Sequence, residues 1–401
     1  MKYKQMIAVA AILAGGAAMA EDIEVSNSWV SGGEAAGKQV VIEALAKRGY
    51  TWVDASVAGY DNDDAAFMSR LQAGNPPGAK FYIAGKNAAG LVKQGLMLPI
   101  DDVFSDDIKA ALPQMITDSI TIDGHYYYAP ISAHGESWFF YSIPLMQKIG
   151  YSEMPTDWDG FFAMLDKAKA AGILPLAFSG QRWQTNKVFN QILVSTMGAE
   201  KYNQMLRDSD EDLVNAPEFL KAVEIFDRLH DYVGQGISAI NWNDATGQVI
   251  RDEALLQFQG DWAKGEFVAA GEVVGKDYGC ALTPGIDDML IVVDSYAFPK
   301  IAGKDAAQKA LAQTLLDPEV QRQFTLRKGS FPVRTDVDMS TYDMCAQKAV
   351  GKMKANAIAA DMAIASDPVV QGQLADLINE FWAAPYDHDR FRADFIDALS
   401  Y

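Results

Sequence analysis

The chain has 401 residues, 49% of them hydrophobic, with 34 lysines and arginines against 53 acids and a formal charge of −19. A field of that sign repels phosphate backbones and anionic lipid, which excludes nucleic acid and charged membrane surfaces as partners. A chain of this length exceeds one ordinary core, so two lobes are expected.

The N-terminus has the grammar of a secretory leader. Lys2 and Lys4 precede the apolar run Met6 to Leu13, and Ala18-Met19-Ala20 fits a small-x-small cleavage site, predicting a mature start at Glu21. No cysteine lies at that junction, so a lipid anchor is not expected, and a Gram-negative periplasm is the compartment implied. The two cysteines, Cys280 and Cys345, are then expected to form a disulfide in an oxidising space, the alternative being two separately buried thiols.

Strand and helix signals alternate from there on, the pattern of an α/β protein. Strands are predicted over Ile23 to Val30, Thr51 to Ala58 and Ala79 to Ile83. Helices are predicted over Ala35 to Arg48, Asp61 to Gln72 and Ala88 to Gln94. Asp123-Gly124 marks a hairpin turn within Ile122 to Tyr128, and Trp138 to Tyr141 is a further strand. Thr156 is expected to cap the helix of Trp158, Phe161, Phe162 and Leu165, and Ile173 to Phe178 to be a buried strand. Asn215 is expected to cap a helix over Pro217 to Tyr232, whose Phe219, Val223, Phe226 and Leu229 form one apolar stripe. Asp317-Pro318 opens another helix. Crossings between lobes are expected at Ala129-Pro130 and Val293-Asp294. This divides the chain into a leader, 1–20, a first lobe of 21–129 plus 294–345, and a second of 130–293 plus 346–401.

Motifs for covalent chemistry are incomplete. His134-Gly135-Glu136 has the H-x-E spacing of zinc deaminases, without the P-C-x-x-C that those enzymes require. Asp61 to Asp64 begins like a calcium loop, but Ala66 and Gln72 stand where that loop needs glycine and an acid. No cofactor is expected. A glycosidase needs only two carboxylates, so a periplasmic carbohydrate-active hydrolase stays as the rival reading.

Tryptophan beside polar residues recurs instead: Trp29 near Glu34, Trp138 near His134 and Glu136, Trp183 near Gln181 and Gln184, Trp262 near Asp261 and Lys264. A pyranose has an apolar face and a rim of hydroxyls, and that pairing of an aromatic plate with charged or amide groups suits it. Taken singly, each such tryptophan also suits a core position. His134 suits a satisfied interior histidine, Asp261 a helix cap, Lys264 and Glu266 a surface pair, and Arg182 a solvent-facing side chain.

Several motifs in fixed order carry a resemblance over nearly the whole chain: Trp29-Val30-Ser31-Gly32-Gly33-Glu34, Gly74-Asn75-Pro76-Pro77, the Asp123-Gly124 hairpin, Gly260 to Phe267, Asp277 to Cys280, and Lys328 to Arg334. The chain resembles the family 1 extracellular solute-binding proteins of ABC importers, and within them the glucose and mannose binders. The resemblance implies an α/β two-lobed periplasmic binding protein fold of the class II type, with the ligand cleft between discontinuous lobes joined by a hinge. It also implies a sugar ligand, ABC permease transmembrane subunits with their ATPase as partners, a monomer, and no enzyme activity. It favours the Cys280–Cys345 bridge. The ligand-binding residues expected are Trp29, Glu34, His134, Glu136, Trp138, Gln184, Trp262 and Lys328. Ile83, Val292 and Ala360 stand where glucose-binding relatives carry polar contacts, so glucose is not the expected ligand. A chemoreceptor or sensor carrier would use the same fold.

Overall fold

The computed structural model describes residues 21–237, 240–355 and 357–400. The leader expected at 1–20 lies outside them. Among the described residues twelve strands form two main sheets and one small ribbon. β1 (Glu21–Asn27), β2 (Tyr50–Ser56) and β3 (Ala79–Ile83) begin the first. β4 (Thr121–Ile122) and β5 (His125–Tyr126) are the ribbon, turned by Asp123 and Gly124, both at positive φ. β6 (Tyr128–Gly135) leads into β7 (Trp138–Ser142), followed by β8 (Leu174–Leu176), β9 (Ala254–Gln259), β10 (Tyr278–Leu282), β11 (Met289–Ala297) and β12 (Ile358–Ala360).

The first sheet has six strands, in the order β12-β11-β3-β1-β2, with β6 on the other edge of β11. The second has four, in the order β10-β7-β9-β8. Parallel strands β1, β2 and β3 are joined by the helices Gly32–Lys47 and Tyr60–Gln72, the strand-and-helix alternation expected of an α/β protein. Beneath the first lobe's end of the cleft, Lys80 and Asp63 form a fully buried ion pair, and Ser26 Oγ donates to Asp63 at 2.5 Å. The pair ties β1, β3 and the Tyr60–Gln72 helix together at one point. The second lobe gathers its own core around Phe139, Phe161, Phe189, Phe226 and Trp382. Among the described residues no helix is long and apolar enough to cross a membrane.

β6 and β11 pair antiparallel along their length, from Ile291 opposite Gly135 to Ala297 opposite Tyr128, with an irregularity at Asp294–Ser295. Both run unbroken through the positions where crossings were expected. Along β11 the partner changes there, since Asp294–Ala297 pair with β3 and Met289–Ile291 with β12, and the chain passes on to the four-stranded sheet after Gly135. At that passage a side chain at Gly135 would lie 2.6 Å from Met289 Sδ and Trp138 Nε1, so the turn between sheets demands glycine. Gly33, in the first turn of the Gly32–Lys47 helix, lies against Gly265 in the Ala263–Ala269 helix, and a Cβ at Gly33 would come within 2.8 Å of the Gly265 backbone.

The disulfide between Cys280 of β10 and Cys345 is present, with Cα atoms 6.3 Å apart and a sequence separation of 65. Two expected caps move by one residue. Asp157, not Thr156, accepts from Gly160 N, and Ala216, not Asn215, precedes Pro217, because the cap is the residue whose backbone leaves the helix, whatever polar neighbour stands near. The Pro217 helix ends at Leu229 and finishes in a 3₁₀ turn, His230–Tyr232.

Candidate functional site

A cavity of about 320 Å³ lies between the lobes. The first lobe supplies the loops after β1 and β2, with Trp29 and Glu34 on the first and Tyr60 beyond the second; Lys328 comes from the end of the Pro318–Lys328 helix. The second lobe supplies Gln181, Trp183, Lys187, Trp242 and Trp262. The ends of β3, β11 and β6 make the floor, with Ile83, Val292, Asp294, His134 and Glu136 facing in.

The Trp29 loop is built from below. Asn27 Oδ1 accepts from Trp29 N at 3.1 Å, and Lys38 Nζ reaches Trp29 O at 3.3 Å while bonding Asp54 at 2.9 Å. Ser31 caps the helix, and Glu34 Oε2 accepts from Val30 N and Ser31 N at 3.0 Å each, a reciprocal capping box. The other Glu34 oxygen lies 3.7 Å from Lys328 Nζ, which sits 5.6 Å from the centre of the Trp29 ring. Trp29 itself packs on Phe81, Tyr296 and Phe324 with only 3% of its surface exposed. Trp29 and Glu34 therefore shape the loop as well as line the cleft.

His134 joins three segments. Its Nδ1 is 2.5 Å from Asp261 and its Nε2 is 2.9 Å from Asp294, while Gly135 N donates to the second Asp261 oxygen at 2.9 Å. Burial pushes the imidazole down, but the Asp294 and Asp261 carboxylates outweigh it and hold His134 above its ordinary value. Burial acts on Asp294 in the opposite sense and is overcome by His134, which leaves that carboxyl low. Asp261 is thus a partner of the histidine rather than a helix cap.

A second ionic cluster joins two buried carboxyls to Lys187, which is 12% exposed toward the cavity. Lys187 Nζ lies 2.6 Å from Glu136 Oε1 and 2.8 Å from Asp361 Oδ1. Burial and then the Asp361 carboxylate push the Glu136 carboxyl well above the usual range. Glu136 and Asp361 also hydrogen-bond each other through their side chains, and Glu136 faces the cavity.

Six of the eight expected residues line the cavity: Trp29, Glu34, His134, Glu136, Trp262 and Lys328. Two are corrected. Trp138 is completely buried on β7, and Gln184 is completely buried with Oε1 accepting from Ser179 and Nε2 donating to Phe258 O at 3.3 Å. Both were assigned from proximity to polar residues, and the parity of strand and helix turns them into the protein. Ala360 lies outside the cleft too, beside a separate cavity with Gly85 and Met115. Lys264 pairs with Asp343 at 2.7 Å and Glu266 accepts from Gly33 N at 3.1 Å, so they are not a surface pair. Arg182 bonds Asp376 and Gly372 O, and its Nη1 lies 3.7 Å from Asp61 of the opposite lobe.

Trp183, Lys187 and Trp242 were missed as site residues. Lys187 stands one helical turn beyond Trp183 and so shares its face, and Asn241-Trp242-Asn243 repeats the tryptophan-and-amide pairing seen elsewhere. Trp183 and Trp262 are 6.0 Å apart between ring centres, and Trp262 meets His134 edge-on at 5.3 Å. Among the described residues no group of three or more His, Cys, Asp or Glu side chains is placed to hold a metal ion. The arrangement offers aromatic plates around a rim of charged and amide groups.

Comparison with known proteins gives a consistent picture. A family model described as bacterial extracellular solute-binding protein matches residues 31–322. A probable sugar-binding periplasmic protein of Mesorhizobium japonicum is 35% identical over 343 residues, 84% of this chain and 82% of that one. An uncharacterized ABC transporter extracellular-binding protein of Pyrococcus horikoshii is 28% identical, covering 94% of this chain and 87% of its own. The bacterial solute receptor AcbH, described as having an exclusive substrate preference for β-D-galactopyranose, superimposes with a TM-score of 0.81 over 94% of this chain and 97% of its own, at 21% identity. That last likeness is one of fold.

Proposed function

Since the chain belongs to the bacterial extracellular solute-binding proteins, we propose that its cleft holds a single small sugar for an ABC importer. The protein is a periplasmic sugar-binding receptor that takes its ligand between two lobes and delivers it to the membrane permease. The observation that carries the reading is the cavity itself, walled by tryptophans and hydrogen-bonding side chains from both lobes. Its volume of about 320 Å³ is near the lower end of the roughly 300–1,000 Å³ of small-molecule sites, which favours a monosaccharide over a longer glycan.

Each group has a task in this reading. Trp262 and Trp183, with Trp29 opposite, stack on the ring faces. Glu136 and Asp294, the latter held by His134, bond hydroxyls along the floor, while Glu34 with Lys328 does so from the first lobe. The closed form gains binding energy from both lobes and is what the permease recognises. The receptor works as a monomer and performs no covalent chemistry; ATP hydrolysed by the partner ATPase drives transport.

A thermal-shift screen of ligand-stripped protein against monosaccharides should find at least one that raises the melting temperature. By calorimetry, Trp262→Ala should then lose about 1–3 kcal/mol of binding with the fold intact, the scale of one lost stacking plate. Trp262 tests this better than Trp29, which also belongs to the core. Release of reducing ends from glycans by the purified protein would overturn the reading.

A further inference from the structure

The cleft floor is chemically lopsided, and the lopsidedness follows the strands. β3, β11 and β6 lie side by side, with Ile83 opposite Asp294 and Val292 opposite His134. Side chains two apart share a face, so six floor positions read across the sheet as Phe81 and Ile83, then Val292 and Asp294, then His134 and Glu136, all facing the cavity. On the β6 side the floor is ionic. On the β3 side it is hydrocarbon. Asp294 turns away from β3, with Oδ2 bonded to His134 at 2.9 Å and to Ser132 at 3.5 Å. Tyr60, which stands over the β3 side, engages the backbone of Ile83 with its hydroxyl.

A pyranose seated between the tryptophans puts one edge on each half of this floor. The edge over His134, Asp294 and Glu136 has partners for its hydroxyls. The edge over Phe81, Ile83 and Val292 has none, and a hydroxyl buried there loses its water without replacement. The substituent that suits the apolar half is a bare ring methylene or a methyl group. We infer that the cleft selects a sugar lacking the exocyclic hydroxymethyl hydroxyl, a pentopyranose or a 6-deoxyhexose. The inference rests on the sugar-receptor reading and adds the substrate class to it.

Matched sugars that differ only in this substituent make the test. Five pairs are titrated calorimetrically into the ligand-stripped mature protein: D-xylose with D-glucose, L-arabinose with D-galactose, D-lyxose with D-mannose, L-fucose with L-galactose, and L-rhamnose with L-mannose. The tightest binder should lack the hydroxymethyl hydroxyl and should bind at least tenfold more tightly than its partner. Ile83→Asn, at a half-buried position, should narrow that ratio by tenfold or more by offering the hydroxyl a partner. A hexose binding as tightly as its matched sugar would overturn the inference and leave the receptor reading standing. So would an unchanged ratio in an Ile83→Asn protein whose melting shows it folded. Absence of binding by all ten sugars would bring down the receptor reading and this inference with it.

Discussion

His134 shows how one side chain here answers to two demands. It lines the cavity, yet both ring nitrogens are engaged by carboxylates within the protein, so its charge is a property of the fold before any ligand arrives. Because Asp294 and Asp261 outweigh burial and raise it above its ordinary 6.5, the folded state binds this proton more tightly than the unfolded chain. The stability it contributes is therefore complete below about pH 6.5 and is lost as pH rises through the folded-state value. Asp294 has the opposite sign. Its lowered value contributes stability above its ordinary 3.8 that is lost as pH falls through the folded-state value. The cluster thus favours the interval between those ordinary values, and urea midpoints should decline above pH 6.5. His134→Gln should flatten that decline relative to the parent, and an equal slope in both proteins would place the titration elsewhere. Residues of this kind were only half legible in the sequence. His134 was singled out by its spacing to Glu136, but its partners come from 127 and 160 residues further along, and no local pattern announces such a meeting. Trp138 misled for a related reason. A strand tryptophan faces cavity or core according to which sheet face is covered, and that is settled by partners distant in sequence.

At the scale of elements, local chemistry was a better guide. Ala79–Ile83 came out with the bounds predicted, because a strand buried at four of its five positions and bounded by Pro76-Pro77 and a glycine has few alternatives. The Asp123-Gly124 turn and the Asp317 cap followed from backbone preferences that need no tertiary context. The expected crossings fall within β6 and β11, which stay extended on both sides of them, and nothing in an extended run marks where one partner strand gives way to the next. The contact between the Gly32–Lys47 and Ala263–Ala269 helices belongs to this scale as well. Both backbones approach at Gly33 and Gly265, and Glu266 accepts from Gly33 N. Gly33→Ala should destabilise by about 1–3 kcal/mol in denaturant unfolding, since the added methyl meets backbone that cannot swing aside. A loss under about 0.5 kcal/mol would mean that the two helices can part without cost.

For the whole molecule, the lobes meet on two sides of the ligand: at the glycine contact near the hinge, and at the mouth where Arg182, anchored by Asp376, comes within 3.7 Å of Asp61. That exposed pair is worth at most about 1 kcal/mol. Asp61→Asn should therefore speed sugar release by no more than about fivefold in stopped-flow traces, with the difference fading at high salt. An unchanged rate would assign closure to the ligand contacts alone. The floor carries the larger consequence. Val292, Asp294 and His134 sit on β11 and β6, the same two strands that link the lobes and must flex when they separate. The receptor thus has no independent dials for what it recognises and how readily it opens. A substitution that retunes the ligand preference at these positions also alters the stiffness of the spring. Drift toward a new sugar in such a protein would have to move through variants whose opening kinetics shift along with their selectivity.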